Sequence, residues 1–287
     1  MNALRVIAVG PQALIEDLGR TGHLGIGVAP SGAIDGPSLR AANRVLGNPE
    51  SAAGVEILLG GVELQADSPV VVVVTGAPAP VTVDGNPAPF GEPLTLGAES
   101  TLTIGRPTSG LRSYLAVRGG IEVTETLGSR STDTSSGLGP TPVQPGDRLV
   151  IGPAPSEPVN GDPIPPLLSG PVHLTAYLGP RDDLLTKSAK TQLTQSVWRV
   201  SNHTDRIGVR LDGPPLALNH TGELSSAPIL AGAIQVPPSG QPIVFLNDHP
   251  TTGGYPIVAC VRREDLPGLG QARPGETVRI TLRANEI

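Results

Sequence analysis

Glycine and proline, 37 and 32 of 287 residues, make up close to a quarter of the chain, about twice their usual combined share of roughly 12%. Inside a helix glycine costs about 1 kcal/mol and proline about 3, so punctuation this dense leaves no room for long helices. A mainly helical fold is excluded. Disorder is excluded as well, because hydrophobic residues at 38% supply enough apolar surface to build cores. Only six residues are aromatic. Valine, isoleucine and leucine must therefore fill those cores, and β-branched aliphatic packing favours sheets.

A single cysteine, Cys260, cannot form an internal disulfide, and no paired cysteines or Cys/His cluster offers a zinc site. The chain reads as a protein of a reducing compartment. The segment Met1–Gly10 has neither the charged start nor the apolar stretch of a signal peptide, and the longest apolar run, Val70–Val74, is too short for a bilayer. These features predict a soluble, cytoplasmic protein without a membrane partner. Twenty basic against 26 acidic residues, with lysine only at 187 and 190, leave no electrostatic footprint for nucleic acid.

Seven prolines fall within the nineteen residues Pro153–Pro171, a stretch that can form neither a central strand nor a helix interior. The domain boundary is placed there, giving an N-terminal β domain over 1–160 and a C-terminal one over 165–287. Pro145–Ile151 resembles Pro274–Ile280, and Gly120–Val123 echoes Ala233–Val236. Internal duplication and recurrent turn-then-strand chemistry both account for such similarity. Short β-branched runs such as Leu4–Val9, Val70–Thr75, Ser113–Val117, Gly208–Leu211 and Ile257–Val261, separated by turn residues, predict barrels or sandwiches. One helix is expected within Asp35–Pro49, capped by Asp35, tolerant of Pro37 in its first turn and stopped by Gly47 and Pro49. A second is expected over Asp182–Leu193.

The densest polar segment is Asn247–Pro256, directly after an apolar strand. Paired glycines, Gly253 and Gly254, let backbone approach a ligand closely; Thr251 and Thr252 offer hydroxyls, and Asp248 is the candidate acid, base or orienting group. A self-satisfied tight turn explains the same residues. Alternation in Arg206–Leu211 puts Arg206 and Arg210 on one strand face, about 13 Å apart, where they would line a groove. In the first half Arg118 precedes a Gly-Gly turn, and Gly128–Asp133 forms a hydroxyl-rich loop in which Arg130 and Ser131 suit a carboxylate or phosphate, or else stabilise the loop itself. No phosphate-loop, zinc-helix or nucleophile-elbow signature occurs, and five scattered histidines predict no metal site.

Taken in order, Gly19-Arg20-x-Gly22, Pro30-Ser31-Gly32-Ala33-x-Asp35, Ala42-Asn43-x-x-x-Gly47-Asn48, Arg118-Gly119-Gly120, Gly128–Thr132, Pro145-Gly146-Asp147, Gly232-x-Ile234-Gln235-Val236-Pro237 and Asp248-x-x-Thr251–Pro256 resemble one family. It is variously called the 5-oxoprolinase C-type component, allophanate hydrolase subunit 2, the KipA-type antagonist, or biotin-dependent carboxyltransferase. The resemblance runs over nearly the whole chain and implies a cyclophilin-like β-barrel architecture, here as two barrel-like halves. It implies a partner of the KipI type, the B-type component of 5-oxoprolinase, with a third chain, in an assembly that cleaves 5-oxoproline to glutamate using ATP. Thr134–Pro142 departs from the family by replacing a glycine-rich stretch that contains Gly-Arg.

The leading expectation is thus a non-autonomous subunit of an ATP-dependent amide hydrolase. In it Asp248, Arg206 and Arg210 act at the reaction, and Arg118, Arg130, Ser131, Gln235, Thr251, Thr252, Gly253, Gly254 and Tyr255 contact substrate. The alternatives are half of a carboxyltransferase that takes carboxybiotin from another chain to urea or a related amide, and a regulator that sequesters an inhibitor of a histidine kinase.

Overall fold

A computed structural model describes residues 2–160, 164, 170–220 and 224–283. Part of the proline-rich boundary segment, residues 161–163 and 165–169, lies outside the described residues. The chain divides into two compact units. The first comprises Met1–Arg20, Ser31–Asp133 and Gly137–Ser169; the second comprises Thr21–Pro30, Thr134–Ser136 and Gly170–Ile287.

Among the described residues the first unit holds eleven strands: β1 Ala3–Ala8, β2 Gln12–Glu16, β3 Gly54–Leu58, β4 Val62–Ala66, β5 Val70–Gly76, β6 Val81–Val83, β7 Asn86–Ala88, β8 Leu94–Leu96, β9 Thr101–Ile104, β10 Arg112–Val117 and β11 Arg148–Val150. They form a six-stranded sheet, β11-β1-β4-β9-β6-β7, and a five-stranded sheet, β2-β3-β10-β5-β8. Residues of both sheets, among them Leu4, Leu64, Leu102, Val72, Val74 and Leu115, make one core. In β4, Val62, Leu64 and Ala66 are buried while Glu63 and Gln65 are half-buried, the period-two pattern of a strand with one face inward. Strand β5 departs from it because both of its faces are covered. Val73 and Ala116 pack beneath helix α1, Gly36–Val45, through Ala42, Val45 and Leu46. As expected, Asp35 caps this helix by accepting from the Ser38 amide.

The second unit contains β12 Val172–Leu178, β13 Trp198–Val200, β14 Gly208–Asp212, β15 Ala227–Pro228, β16 Ala233–Gln235, β17 Ile243–Phe245, β18 Thr252–Gly253, β19 Ile257–Val261 and β20 Thr277–Arg283. Seven of these close into a barrel, β12-β19-β16-β17-β14-β13-β20, and the ring is completed by the parallel pair β12–β20. Trp198, Val209, Leu211, Ile234, Val244, Val258 and Val278 are fully buried. The expectation of a mainly β protein with barrel architecture is met.

One detail differs from the sequence reading. The helix expected over Asp182–Leu193 is a short turn, Asp182–Leu184, followed by α2, Lys187–Gln195. Its cap is Thr186, whose hydroxyl accepts from the Ala189 amide at 3.1 Å. The repeated segments share a turn with glycine at positive φ, Gly146 at 94° and Gly275 at 87°, each leading into a strand. Their strands then take different places, β11 beside β1 in a sheet and β20 between β12 and β13 in the barrel.

Candidate functional site

The Asn247–Pro256 segment of the second unit is pinned at both ends. At the start, the Asp248 amide donates to the Arg206 carbonyl at 3.1 Å, beyond the last paired residues of β14 and β17, Gly208 and Phe245. Both side chains turn inward: Asp248 is 0% and Arg206 2% exposed. The guanidinium clasps the carboxylate through two bonds, Nε to Oδ2 at 2.9 Å and Nη2 to Oδ1 at 3.1 Å. Thr134 adds its amide at 3.0 Å and its hydroxyl at 2.6 Å, both to Oδ2. Burial alone would raise the Asp248 pKa, yet Arg206 and the two Thr134 bonds more than offset it and hold the carboxyl below its ordinary value. Such a group is kept as an anion with its lone pairs in use.

At the other end, Gln235 Nε2 donates to the Tyr255 carbonyl at 3.0 Å, and the Val236 amide to the Pro256 carbonyl at 3.1 Å. Between these anchors Thr252 and Gly253 pair with Pro228 and Ala227. Gly253 packs closely here, since a Cβ would lie 2.7 Å from Ile229 Cδ1 and 3.0 Å from Gln235 Nε2 and would have to displace those side-chain ends. Tyr255 remains 43% exposed and, with Pro256, lines a cleft of about 500 Å³. The facing walls are Pro215–Leu218 and Pro238–Gly240, joined by a bond from the Leu216 amide to the Gly240 carbonyl at 2.9 Å. Gly240 has a φ of +77°, and a Cβ there would meet Pro215 Cβ at 2.8 Å and Leu216 N at 2.9 Å. Gly240→Ala is therefore expected to destabilise the protein by about 1–3 kcal/mol through backbone strain and overpacking, read as a lower urea midpoint.

The shared arginine face expected for Arg206 and Arg210 is not formed. Strand β14 begins only at Gly208, because Asp205 Oδ1 accepts the amides of Ile207 at 2.8 Å and Gly208 at 3.1 Å and turns the chain there. Arg206, ahead of the strand, points inward, while Arg210 is exposed and lines an open polar recess with Asn202, His203, Thr204 and Asp205.

In the first unit the expected binding residues are engaged by their own chain. Arg118 donates to three carbonyls, of Leu46 at 2.5 Å, Pro155 at 2.8 Å and Glu157 at 2.8 Å. Arg130 pairs with Glu125 at 2.7 Å and Glu122 at 2.9 Å. Ser131, fully buried, donates to Asp17 Oδ1 at 2.6 Å. Asp17 organises that loop, since its carboxylate also takes the Ser129 hydroxyl at 2.6 Å, the Arg130 amide at 2.6 Å and the Gly19 amide at 2.7 Å. Among the described residues no group of three His, Cys, Asp or Glu side chains is placed to hold a metal.

The residue pattern of the carboxyltransferase domain, subdomains A and B, matches residues 26–282. The chain belongs to this carboxyltransferase-domain family. It is 36% identical to the C-type component of 5-oxoprolinase from Escherichia coli over 278 residues, covering 96% of this chain and 89% of that protein. To the urea amidolyase of Saccharomyces cerevisiae it is 32% identical over 305 residues, 97% of this chain and 16% of that protein. The crystal structure of the K. lactis urea amidolyase matches with a TM-score of 0.92 at 31% identity, over 98% of this chain and 18% of that one.

Within this carboxyltransferase fold, three features escaped the sequence reading. Thr134 belongs to the segment noted for its departure from the family, but 114 residues separate it from Asp248, and no local pattern links them. Asp17 was overlooked beside Gly19-Arg20, although an aspartate two residues before a glycine is a signal for side-chain capping of a turn. The cleft walls at 215–218 and 238–240 consist of proline, glycine and aliphatic residues, which read as connection rather than site.

Proposed function

We propose that this chain is the C-type component of a multi-subunit 5-oxoprolinase, acting with a KipI-type (B-type) partner and a third chain. The observation that carries the reading is its 36% identity with the C-type component of the Escherichia coli 5-oxoprolinase across 89% of that relative; the Haemophilus influenzae protein of the same name agrees at 34% and 89%. The described residues of neither unit offer a cradle for a nucleoside triphosphate. Arg118, Arg130 and Arg206 are engaged internally, Lys190 pairs with Asp182, and no glycine-rich phosphate cradle with a lysine is present among the described residues. We accordingly assign ATP to a partner chain. This chain contributes a rigid platform: the Arg206–Asp248–Thr134 cluster fixes the start of the 248–256 loop, Gln235 fixes its end, and Tyr255 is left exposed beside the cleft. In this reading Asp248 is a positioning residue.

Co-expression with the two partner chains tests the proposal. Glutamate and ADP released from 5-oxoproline only when this chain is present would support it; a stable complex releasing neither would refute it. The TM-score of 0.92 with urea amidolyase supports a second reading, carboxyl transfer from biotin on another chain to urea or a related amide. Bicarbonate-dependent consumption of urea in the same preparation would favour that one.

A further inference from the structure

We propose that the outer face of the barrel binds an extended acidic segment of a partner protein, held by three arginines on neighbouring strands. Arg210 on β14, Arg199 on β13 and Arg279 on β20 are all exposed. Each stands between buried strand neighbours, Val209 and Leu211, Trp198 and Val200, Val278 and Ile280, so alternation turns all three outward. The strand register then sets their spacing. Arg199 lies opposite Asp212 on one side and Thr277 on the other, which puts Arg210 and Arg279 each two residues from a direct partner of Arg199. Such diagonal neighbours are about 7–8 Å apart. Arg210 is displaced toward Ser201, whose amide bonds its carbonyl at 2.9 Å, and Arg279 toward the opposite end of β13. The three therefore make one diagonal row, and His173, exposed and directly opposite Arg279 on β12, continues it.

Charge selects the partner. A chain with a formal net charge of −6 repels an acidic partner at long range, so a local row of guanidiniums decides where one can land. Among the described residues the Arg210 and Arg279 side chains have no hydrogen bond or ion pair, and Arg199 donates one bond, to the Gly275 carbonyl at 3.1 Å. Two acidic groups border the row: Asp212, opposite Arg199, and Asp205, in the polar recess beside Arg210. Asp205 already takes two amides through Oδ1, and the row keeps a net positive charge. A guanidinium takes a carboxylate through two parallel bonds, which favours Glu or Asp as the contacting residue. Spacing selects the conformation. Side chains on one face of an extended chain recur about every 6.5–7 Å, whereas neighbours on a helix face are about 5–6 Å apart, so the extended form matches the row better. Val197, 42% exposed just ahead of β13, adds apolar area of the kind that accompanies arginine at interfaces. None of this depends on the activity proposed above.

Fluorescence anisotropy of the full chain with a labelled peptide, Ser-Glu-Ser-Glu-Ser-Glu-Ser, tests this at about 0.01 M salt, where screening reaches about 30 Å. The expected result is saturable binding that weakens as salt rises. Arg199→Glu and Arg279→Glu should each weaken it about tenfold, through one lost pair and one new repulsion. Arg181→Glu, an exposed arginine beyond the end of β12, should leave it unchanged. A peptide of the same composition with its three glutamates contiguous should bind about threefold more weakly, because alternate side chains of an extended chain face away from the row. All three substitutions are at exposed positions, and an unchanged urea midpoint confirms that each variant is folded. Absence of saturation, an equal loss in Arg181→Glu, or equal binding of the contiguous peptide would overturn the assignment. Equal or tighter binding of an oligothymidylate of the same length would overturn it too, in favour of a general polyanion surface.

Discussion

Asp248→Ala should lower stability by about 3–5 kcal/mol, because it removes the carboxylate that takes two bonds from the Arg206 guanidinium, 2% exposed. Urea unfolding of the full chain would measure it. Asp248→Asn should also be strongly destabilising, since it keeps the shape and removes the charge. The double replacement Arg206→Met with Asp248→Leu should recover most of the loss, because two buried charges then leave together. If the double variant is as unstable as the singles, the ion pair is not the source of the effect. The pH dependence has a fixed sign. Burial opposes ionisation, but Arg206 and Thr134 prevail and depress the folded-state pKa. The contribution is therefore full above the unfolded-state pKa, about 3.9, and is lost as pH falls through the lower folded value. Acid unfolding should flatten in that window for Asp248→Asn and not for wild type.

The same ion pair bears on chemistry. A carboxylate engaged by a guanidinium, an amide and a hydroxyl has little proton affinity left for a substrate, which is why we place it as a support for the 248–256 loop. A structural support and a general base differ in their signatures. Loss of the support should move the concentration dependence of turnover as well as its maximum, whereas loss of a base should leave substrate affinity intact.

Local chemistry was legible where one short segment carries it. Asp35, Pro37 and Gly47 bracket α1 by the physics of helix ends, and the alternation in Val62–Ala66 shows in its burial. The site was legible only as a neighbourhood. The 247–256 segment stood out by composition, and Gly253 does pack closely against Ile229 and Gln235. Residue roles were not, for two reasons. Arg206 and Arg210 read as one face because alternation presumes a strand, and a single Asx turn at Asp205 moved the strand's start to Gly208. Arg118 and Ser131 read as ligand contacts because their partners lie elsewhere in the chain, 72 residues away for the Leu46 carbonyl and 114 for Asp17, whereas Glu125 and Glu122, which pair with Arg130, lie five and eight residues before it. A sequence shows which groups can bond but not which bonds are already taken.

The buried cluster under α1 should be as costly to disturb as the Asp248 pair. Glu56, 3% exposed, faces Tyr114 directly across the β3–β10 pairing. Its carboxylate takes the Arg112 Nε at 3.2 Å, the Tyr114 hydroxyl at 2.8 Å and the Ile34 amide at 3.0 Å. The Tyr114 oxygen in turn accepts the Asp35 amide at 2.8 Å, so the cluster runs without a break into the helix cap. Glu56→Gln leaves the Arg112 cation, 4% exposed, facing a neutral amide and should cost about 3–5 kcal/mol. Tyr114→Phe removes one donor and one acceptor and should cost about 1–3 kcal/mol. Glu50→Gln is the comparison: its partner Arg44 and Glu50 itself are 57% and 47% exposed, and the loss should stay below about 1 kcal/mol. Burial, then the charges of Glu56 and Asp35, raise the Tyr114 pKa well above its ordinary value. Its contribution is thus complete below about pH 10, where the unfolded phenol titrates, and declines as pH rises toward the folded value. Urea midpoints for the three variants should rank Glu56→Gln below Tyr114→Phe below Glu50→Gln. Equal midpoints for the buried and exposed glutamate variants would show that the cluster contributes no more than a surface pair.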